Sequence, residues 1–481
     1  MRHPELTLVN TNRMQPPIAP VGLDYIAATA QISGIDVEIL DLCFAEQPVA
    51  RLREYFARNN PFLAGITLRN IDDCFWPSAQ SFVGDLLNTI RQIRDVSQVP
   101  IVVGGVGFSI AAQRIFDISG ADFGIHGDGE TSLTILIDQI KGARDFTRVP
   151  GLLWRENDNI YSNPPAWPDI LTVPPAREAV DNRSYLQKGG QIGLETKRGC
   201  PRQCVYCADP LAKGKHARMR SPAAVAEEAE NLLRLGIDVL HLCDGEFNLP
   251  REHAAAVCEE FIRRDLGEKL CWYAYLAIKP FDADLARLMK NAGCVGINFT
   301  GDSAHASMLR NYRQHHQSQD IAHAVCCCRE NGIEVMIDLL LGGPGETPQS
   351  AAETINFMKK INPDCVGAGL GLRVYDQTAA ANIIRAEGPL ETNPSLKRKY
   401  PGPVDLLQPT FYISASLGEH PAELVRDLID NDPRFFEPED EYITDTDHNY
   451  NDNPVLTQAL AQGYRGAYWH ILSQLRSQSK S

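Results

Sequence analysis

Two α/β domains joined by a proline-rich connector, then a small, mostly helical domain, are what this 481-residue sequence predicts. Three observations predict it. Strand-like and helix-like runs alternate over 1–145 and again over 191–390, the pattern of βα units that build parallel sheets. Between them, in 146–190, Asn163-Pro164-Pro165-Ala166-Trp167-Pro168 and Val173-Pro174-Pro175 break both kinds of element. In the last part, 391–481, a Pro- and Lys-rich loop over 391–409 is followed by helical spacing at 422–429 and 454–475.

Composition narrows the function class. A chain that is 44% hydrophobic can bury sizeable cores, and a net charge of -15 argues against a nucleic-acid partner, which needs a basic face. Thirteen cysteines without a secretory segment imply a reducing compartment. No apolar run reaches the roughly 18 residues that a membrane span needs. A cytoplasmic protein with neither a membrane span nor a nucleic-acid partner is expected.

In the first domain, strand signals fall at 6–9, 36–40, 62–68, 99–103 and 122–125, and helical spacing at 21–32, 81–93 and 111–118. The alternation predicts a doubly wound, Rossmann-like parallel sheet, whose ligands sit at the carboxyl ends of the strands. Four loops meet there: 10–21, 67–74, 104–109 and 127–130. Their glycines allow close approach to a large flat or phosphate-bearing ligand. Gly104-Gly105-Val106-Gly107 falls short of G-x-G-x-x-G and does not specify a dinucleotide; a tight turn is the plain alternative.

In the second domain, strands are expected near 192–197, 238–243, 270–278, 294–300, 333–341 and 364–372. Six βα units are too few for an eight-stranded closure, so a partial (β/α)6 barrel follows. Its first strand runs into Cys200-Pro201-Arg202-Gln203-Cys204-Val205-Tyr206-Cys207. Most iron–sulfur clusters take four thiolates, one per iron; three leave one iron open, and an open coordination position marks a catalytic site. A structural zinc site is the alternative. It needs a fourth ligand, and His216 stands at no usual zinc spacing. Later strand ends carry Asp244-Gly245-Glu246-Phe247-Asn248, Thr300-Gly301-Asp302-Ser303 and Leu341-Gly342-Gly343-Pro344-Gly345-Glu346.

Cys200, Cys204 and Cys207, with Tyr206 before the last, match the C-x3-C-x-Φ-C motif, and 191–390 resembles the radical S-adenosylmethionine (SAM) core. Asp244–Asn248 stands where that family has a Gly-Gly-Glu stretch, and Leu341–Glu346 resembles its fifth-strand motif. The first domain resembles the cobalamin-binding domain fused to many such enzymes, on Pro20-Val21-Gly22-Leu23, the run at 104–107, and Gly127-Asp128-Gly129-Glu130. D-x-H-x-x-G is absent before residue 150, so the resemblance implies cobalamin with no histidine on cobalt. It implies cofactor contacts at Pro20, Gly22, Thr67, Arg69, Gly104, Gly105, Val106, Gly127, Gly129 and Glu130.

The resemblance further implies a [4Fe–4S] cluster on Cys200, Cys204 and Cys207, with SAM's methionine end on the open iron. Asp244 and Glu246 would hold the SAM ammonium, Asp302 and Ser303 the ribose or methionine end, and Tyr206, Gly343 and Glu346 the adenine side. Arg69 would face the corrin without ligating cobalt; an ion pair with Asp72 or Asp73 is its alternative. Tyr412, Tyr450, Tyr468 and Trp469 would cap the barrel mouth, Tyr412 counting among the catalytic candidates.

The implied enzyme is a cobalamin-dependent radical SAM methyltransferase. It would move a methyl group from SAM via methylcobalamin to an unactivated carbon of a small molecule or peptide, with a flavodoxin or ferredoxin as electron donor. A cyclase or ring-rearrangement enzyme with the same cofactors, and a non-catalytic iron–sulfur sensor, stay open. A methylthiotransferase is disfavoured, because the first domain has no second cysteine triplet. The other cysteines, Cys326–Cys328 included, read as small buried hydrophobes. His315 and His316 read as a solvated or capping pair, and the acidic run with Asp445, Asp447 and Asp452 as a solvated face.

Overall fold

The structure, a computed structural model, describes residues 4–168, 171–439 and 453–478. Tyr450, Asp445, Asp447 and Asp452 lie outside the described residues. The first sheet is organised around β1 (Leu6–Asn10), whose five residues are all buried. A parallel strand covered on both faces reads as a near-continuous apolar run, as Leu6-Thr7-Leu8-Val9 does. β2 (Val37–Asp41) and β3 (Leu63–Thr67) flank it, and β4 (Ile101–Gly104) and β5 (Phe123–Ile125) follow, all parallel. The order β2-β1-β3-β4-β5 reverses at β1, so a ligand crevice opens at the carboxyl ends of β1 and β3. Arg69 lies just past the end of β3.

An antiparallel hairpin, β6 (Leu152–Glu156) and β7 (Asn159–Ser162), extends this sheet from within the stretch expected as a connector. Its physical cause is local. Leu152-Leu153-Trp154 buries against the sheet, and Asn157 and Asp158 both take the positive φ of a two-residue hairpin turn.

The second sheet starts with β8 (Gly193–Leu194). A short antiparallel pair, β9 (Lys197–Arg198) and β10 (Arg218–Met219), brackets the cysteine loop. β11 (Val239–Leu242), β12 (Cys271–Ala277), β13 (Cys294–Asp302), β14 (Glu334–Leu341) and β15 (Cys365–Leu370) complete six parallel strands. The predicted first strand divides into β8 and β9 because Thr196 and Lys197 donate their backbone N–H groups to the Asp244 carboxylate, at 2.8 and 3.2 Å.

The last segment is less helical than expected. β16 (Leu372–Arg373), β17 (Leu396–Arg398) and β18 (Thr410–Tyr412) make a small antiparallel sheet. β19 (Phe435–Phe436) pairs in parallel with β15 and gives the barrel sheet a seventh strand. The helical stretch read at 454–475 is two helices, Pro454–Ala461 and Tyr468–Gln478. No helix among the described residues is long and apolar enough to cross a membrane.

Buried charges lock the two sheets together. Arg177, from the connector, donates to Asp24 Oδ2 of the first domain (3.1 Å) and through Nε to Glu228 Oε1 of barrel helix Pro222–Arg234 (2.7 Å). Arg220 takes the other Glu228 oxygen. Arg198 pairs with Glu130 at 2.5 Å, and Arg218 with Asp128. Such groups are tolerated inside a protein only when each charge is paired and hydrogen-bonded. Even so, burial outweighs the pull of Arg177 and raises the Asp24 carboxyl to about 7. The seam therefore fixes the strand ends of one sheet against those of the other.

Candidate active site

The carboxyl ends of the barrel strands enclose a cavity of about 260 Å³. Cys200, Cys204, Tyr206, Cys207, Asp244, Glu246, Tyr275, Thr300, Gln314 and His315 line it. The cysteine loop is anchored from behind. Val205 donates its N–H to the Tyr312 carbonyl, and the Tyr206 hydroxyl donates to Asp302 Oδ2 (2.6 Å). Gln314 Nε2 donates to Cys204 Sγ (3.4 Å) and to Asp302.

Burial raises all three thiols, Cys204 to about 12. A bound metal deprotonates a coordinating thiol outright, so three thiols on one cavity wall fit a cluster. Among the described residues no three ligands gather around a single ion.

Two buried ionisable groups in this region lack a full set of partners, Glu246 in the cavity lining and Lys197 outside it. Glu246 holds a φ of +132°, rare for a residue with a side chain, and such strain concentrates at functional sites. Thr300 donates to its Oε1 (3.0 Å), while its buried Oε2 has no partner. Burial raises this carboxyl to about 7. Lys197 is 1% exposed, and its Nζ also has no partner.

Several expected contacts are spent elsewhere. Asp244 accepts from the Thr196 hydroxyl (2.5 Å) and from two backbone N–H groups, so most of its acceptor capacity goes to fixing the loop. Asp302, raised to about 6 by burial, braces Tyr206 from outside the cavity lining. Ser303 is fully buried against Thr354 Oγ1 (2.9 Å). Glu346 accepts from Ser350 through Oε1 while its buried Oε2 has no partner, and a Cβ on Gly343 would overlap the Tyr312 hydroxyl. The 342–346 turn thus packs on Tyr312.

Tyr412 is buried behind the cysteine loop with Val205 and Tyr312, and donates to Glu387 Oε1 (3.0 Å); it does not line the cavity. Trp469 packs edge-on against Tyr273 in a separate cluster. His316 is buried against the Gly301 carbonyl, not solvated, and burial lowers it to about 4. Cys74, Cys243, Cys271 and Cys326 are exposed, unlike the other cysteines outside the triplet.

In the first domain Arg69 pairs with neither expected aspartate. Asp72 is held by Arg373 (2.7 Å), and Asp73 accepts from Ser78 and from the backbone of Phe75 and Gln80. Arg69 donates to Asn70 Oδ1 (3.0 Å), and its charge meets Cys243, Tyr275 and Tyr468 from the opposite sheet and the last helix. Tyr275 is 49% exposed, yet burial raises its hydroxyl to about 12. Its open face therefore looks into a space inside the molecule, between the two sets of strand ends. Across that face Asn298 Nδ2 donates to Asp338 Oδ2 (2.8 Å), Asn298 Oδ1 is unpartnered, and burial raises Asp338 to about 6.

The first-domain loops divide in role. A Cβ on Gly105 would sit 2.6 Å from the Leu68 carbonyl, so the 104–107 run packs on the Thr67–Asn70 loop, the tight-turn alternative. Gly127 abuts Trp167, Gly129 abuts Ile26, and Glu130 is committed to Arg198. Gly22, just after Pro20, faces open space, and Val106 is 38% exposed.

Comparison with known proteins assigns families to two stretches of the chain. The B12 binding domain model covers residues 8–137, and the Radical SAM superfamily model covers 194–358. The radical S-adenosylmethionine methyltransferase TsrM from Kitasatospora setae, solved with tryptophan and aza-SAM, shares 30% identity and a TM-score of 0.90 over 99% of this chain and 98% of that one. The chain belongs to the cobalamin-dependent radical SAM methyltransferases. TsrM solved with cobalamin and a [4Fe–4S] cluster superposes with a TM-score of 0.88 at 28% identity, over 99% of each chain. The tryptophan 2-C-methyltransferase of Streptomyces laurentii is 28% identical over 98% of this chain and 96% of its own.

Within this family member, Lys197, Tyr275, Asn298, Gln314 and Asp338 escaped the sequence reading. One of them had a signal. Asp338 interrupts the apolar strand Val335-Met336-Ile337-Asp338-Leu339-Leu340-Leu341, and a lone carboxylate in a buried strand has to face something polar.

Proposed function

We propose that this enzyme moves a methyl group from SAM, by way of cobalamin, to a carbon of tryptophan or of a close analogue that keeps the indole and the ammonium group. The full-length likeness to TsrM solved with tryptophan carries this reading. The polar row Tyr275, Asn298 and Asp338, on successive strands facing the interdomain space, supports it.

When bound, the cluster supplies single electrons, SAM the methyl group and cobalamin its carrier. Cys200, Cys204 and Cys207 would hold the cluster, with Glu246 Oε2 free beside it. Arg69 stays protonated and would face the corrin with a cation that cannot ligate cobalt. Asp338, ionised above about pH 6, suits a substrate ammonium through a charge-assisted hydrogen bond, with Asn298 Oδ1 as a second acceptor. The Tyr275 hydroxyl stays protonated at neutral pH and can donate to the substrate or its neighbours. The paired seam would hold the two cofactor-binding domains in fixed register. An external one-electron donor of the flavodoxin or ferredoxin type completes the system.

The test is anaerobic reconstitution with iron, sulfide and cobalamin, then incubation with methyl-deuterated SAM, a reductant and tryptophan. The expected outcome is tryptophan carrying one labelled methyl group on carbon. Unlabelled tryptophan, recovered at full cofactor loading, overturns the substrate assignment.

A further inference from the structure

Lys197 stands at the start of β9, three residues before Cys200. Its backbone is pinned, donating to Asp244 Oδ1 (3.2 Å) and pairing with Met219 of β10. The side chain is 1% exposed, and its ammonium makes no hydrogen bond. A desolvated, unpaired ammonium is costly, so natural proteins bury one only against an anion. The Asp244 carboxylate, which anchors this strand, accepts three hydrogen bonds from backbone and the Thr196 hydroxyl and none from this ammonium. The ammonium acts electrostatically on Cys200 and on Glu246. The partner of this cation is therefore to be sought at the cysteine wall.

We propose that Lys197 is a positioning residue whose fixed charge offsets the negative charge of the cluster on Cys200, Cys204 and Cys207 and thereby sets its reduction potential. The proposal rests on the reading of this loop as the cluster site. A core of charge two plus on three thiolates is a singly charged anion; one electron from the external donor makes it doubly charged, with no bond broken and no proton moved. A nearby desolvated cation stabilises the doubly charged state more than the singly charged one, because the Coulomb energy scales with the charge. SAM's carboxylate is the other anion able to claim this ammonium, and the experiment separates the two.

Lys197→Met, Lys197→Gln and Lys197→Arg are prepared in the full-length, reconstituted enzyme. Iron content and visible absorption first establish cluster loading. The potential is then read by EPR-monitored redox titration without SAM, and SAM affinity is measured separately. The two neutral variants are expected to shift to a more negative potential, with roughly a tenfold lower reduced-to-oxidised ratio at the wild-type midpoint, about 59 mV for one electron. Lys197→Arg is expected to keep the wild-type value.

An unchanged potential in a fully loaded Lys197→Met overturns the proposal. Weakened SAM affinity at unchanged potential also overturns it and assigns the ammonium to SAM. If the neutral variants fail to hold the cluster while Lys197→Arg holds it, the charge requirement is upheld. Loss of the cluster in all three makes the role steric and overturns the proposal. A wild-type protein that takes up no iron defeats the cofactor reading itself, an outcome the iron assay distinguishes from the others.

Discussion

The seam between the two sheets and the cavity at the barrel mouth are both buried and both charged, yet they are completed differently. At the seam Arg177, Asp24, Glu228 and Arg220 face one another, and Arg198 and Arg218 find Glu130 and Asp128, so each charge has an opposite charge beside it although Asp24 Oδ1 and Arg218 Nε make no hydrogen bond. Around the cavity Glu246, in its lining, has one oxygen bare; Lys197, outside the lining, has no hydrogen-bond partner, and Arg69, past the end of β3, has no ion pair with a described residue. A region in which every charge stands beside an opposite charge serves the fold. A region that leaves charges open at the ends of two sheets is built to take something in.

The comparison breaks first at Glu228, because its loss strands two arginines. Glu228→Ala leaves the buried cations Arg177 and Arg220 short of their shared anion, and removing one partner of a buried pair costs about 3–5 kcal/mol. Urea unfolding monitored by circular dichroism measures it. A cost below about 1 kcal/mol would mean that the seam is not a closed unit. Asp338→Asn tests the open side. It keeps the shape and removes the charge, so the expectation is intact folding with a tryptophan KM raised roughly tenfold to a hundredfold, from a charged hydrogen bond worth about 1.5–3 kcal/mol. An unchanged KM removes Asp338 from substrate recognition.

Glu246→Gln should have the opposite sign from Glu228→Ala. The Glu246 carboxyl is raised to about 7 in the fold against 4.5 as a free group, so the folded state holds its proton more tightly than the unfolded chain. Its burial then costs stability increasingly as pH rises from about 4.5 to about 7, and fully above that. The cluster-free Gln variant should match wild type at acidic pH and be more stable by on the order of 3 kcal/mol at pH 8. Thermal unfolding across that range reads it. A difference that does not grow with pH would mean Glu246 has found a cation.

Local pattern carried much of the fold. β1, β3, β4 and β12 to β15 are apolar or β-branched runs bounded by turns, and the cysteine triplet is contiguous. What stayed hidden is decided by pairing at a distance. β19 is two residues long and exists only because β15 offers an edge. Asp244 and Glu246 are two residues apart with like chemistry, but only the register of β8 against β11 turns the first to the backbone and leaves the second bare. Glu130 and Arg198 are separated by the whole connector, so nothing local tells that the 127–130 loop docks a domain as well as bordering a crevice. Lys197 looked like any strand lysine until its burial was known.

The smallest effect sharpens the comparison from outside. Arg114 and Asp405 also join the first domain to the last segment, through two hydrogen bonds of 2.7 and 3.1 Å. Geometry alone would rank this pair with the seam. Its side chains, however, are 49% and 38% exposed, so water and salt screen the attraction, and ordering two long side chains offsets most of what remains. Arg114→Ala should therefore change stability by about 0.5 kcal/mol or less, and less still in 0.5 M salt. The same urea measurement compares it directly with Glu228→Ala. If the two variants lose similar stability, burial is not what separates the seam from the surface, and the contrast between closed and open charges loses its basis.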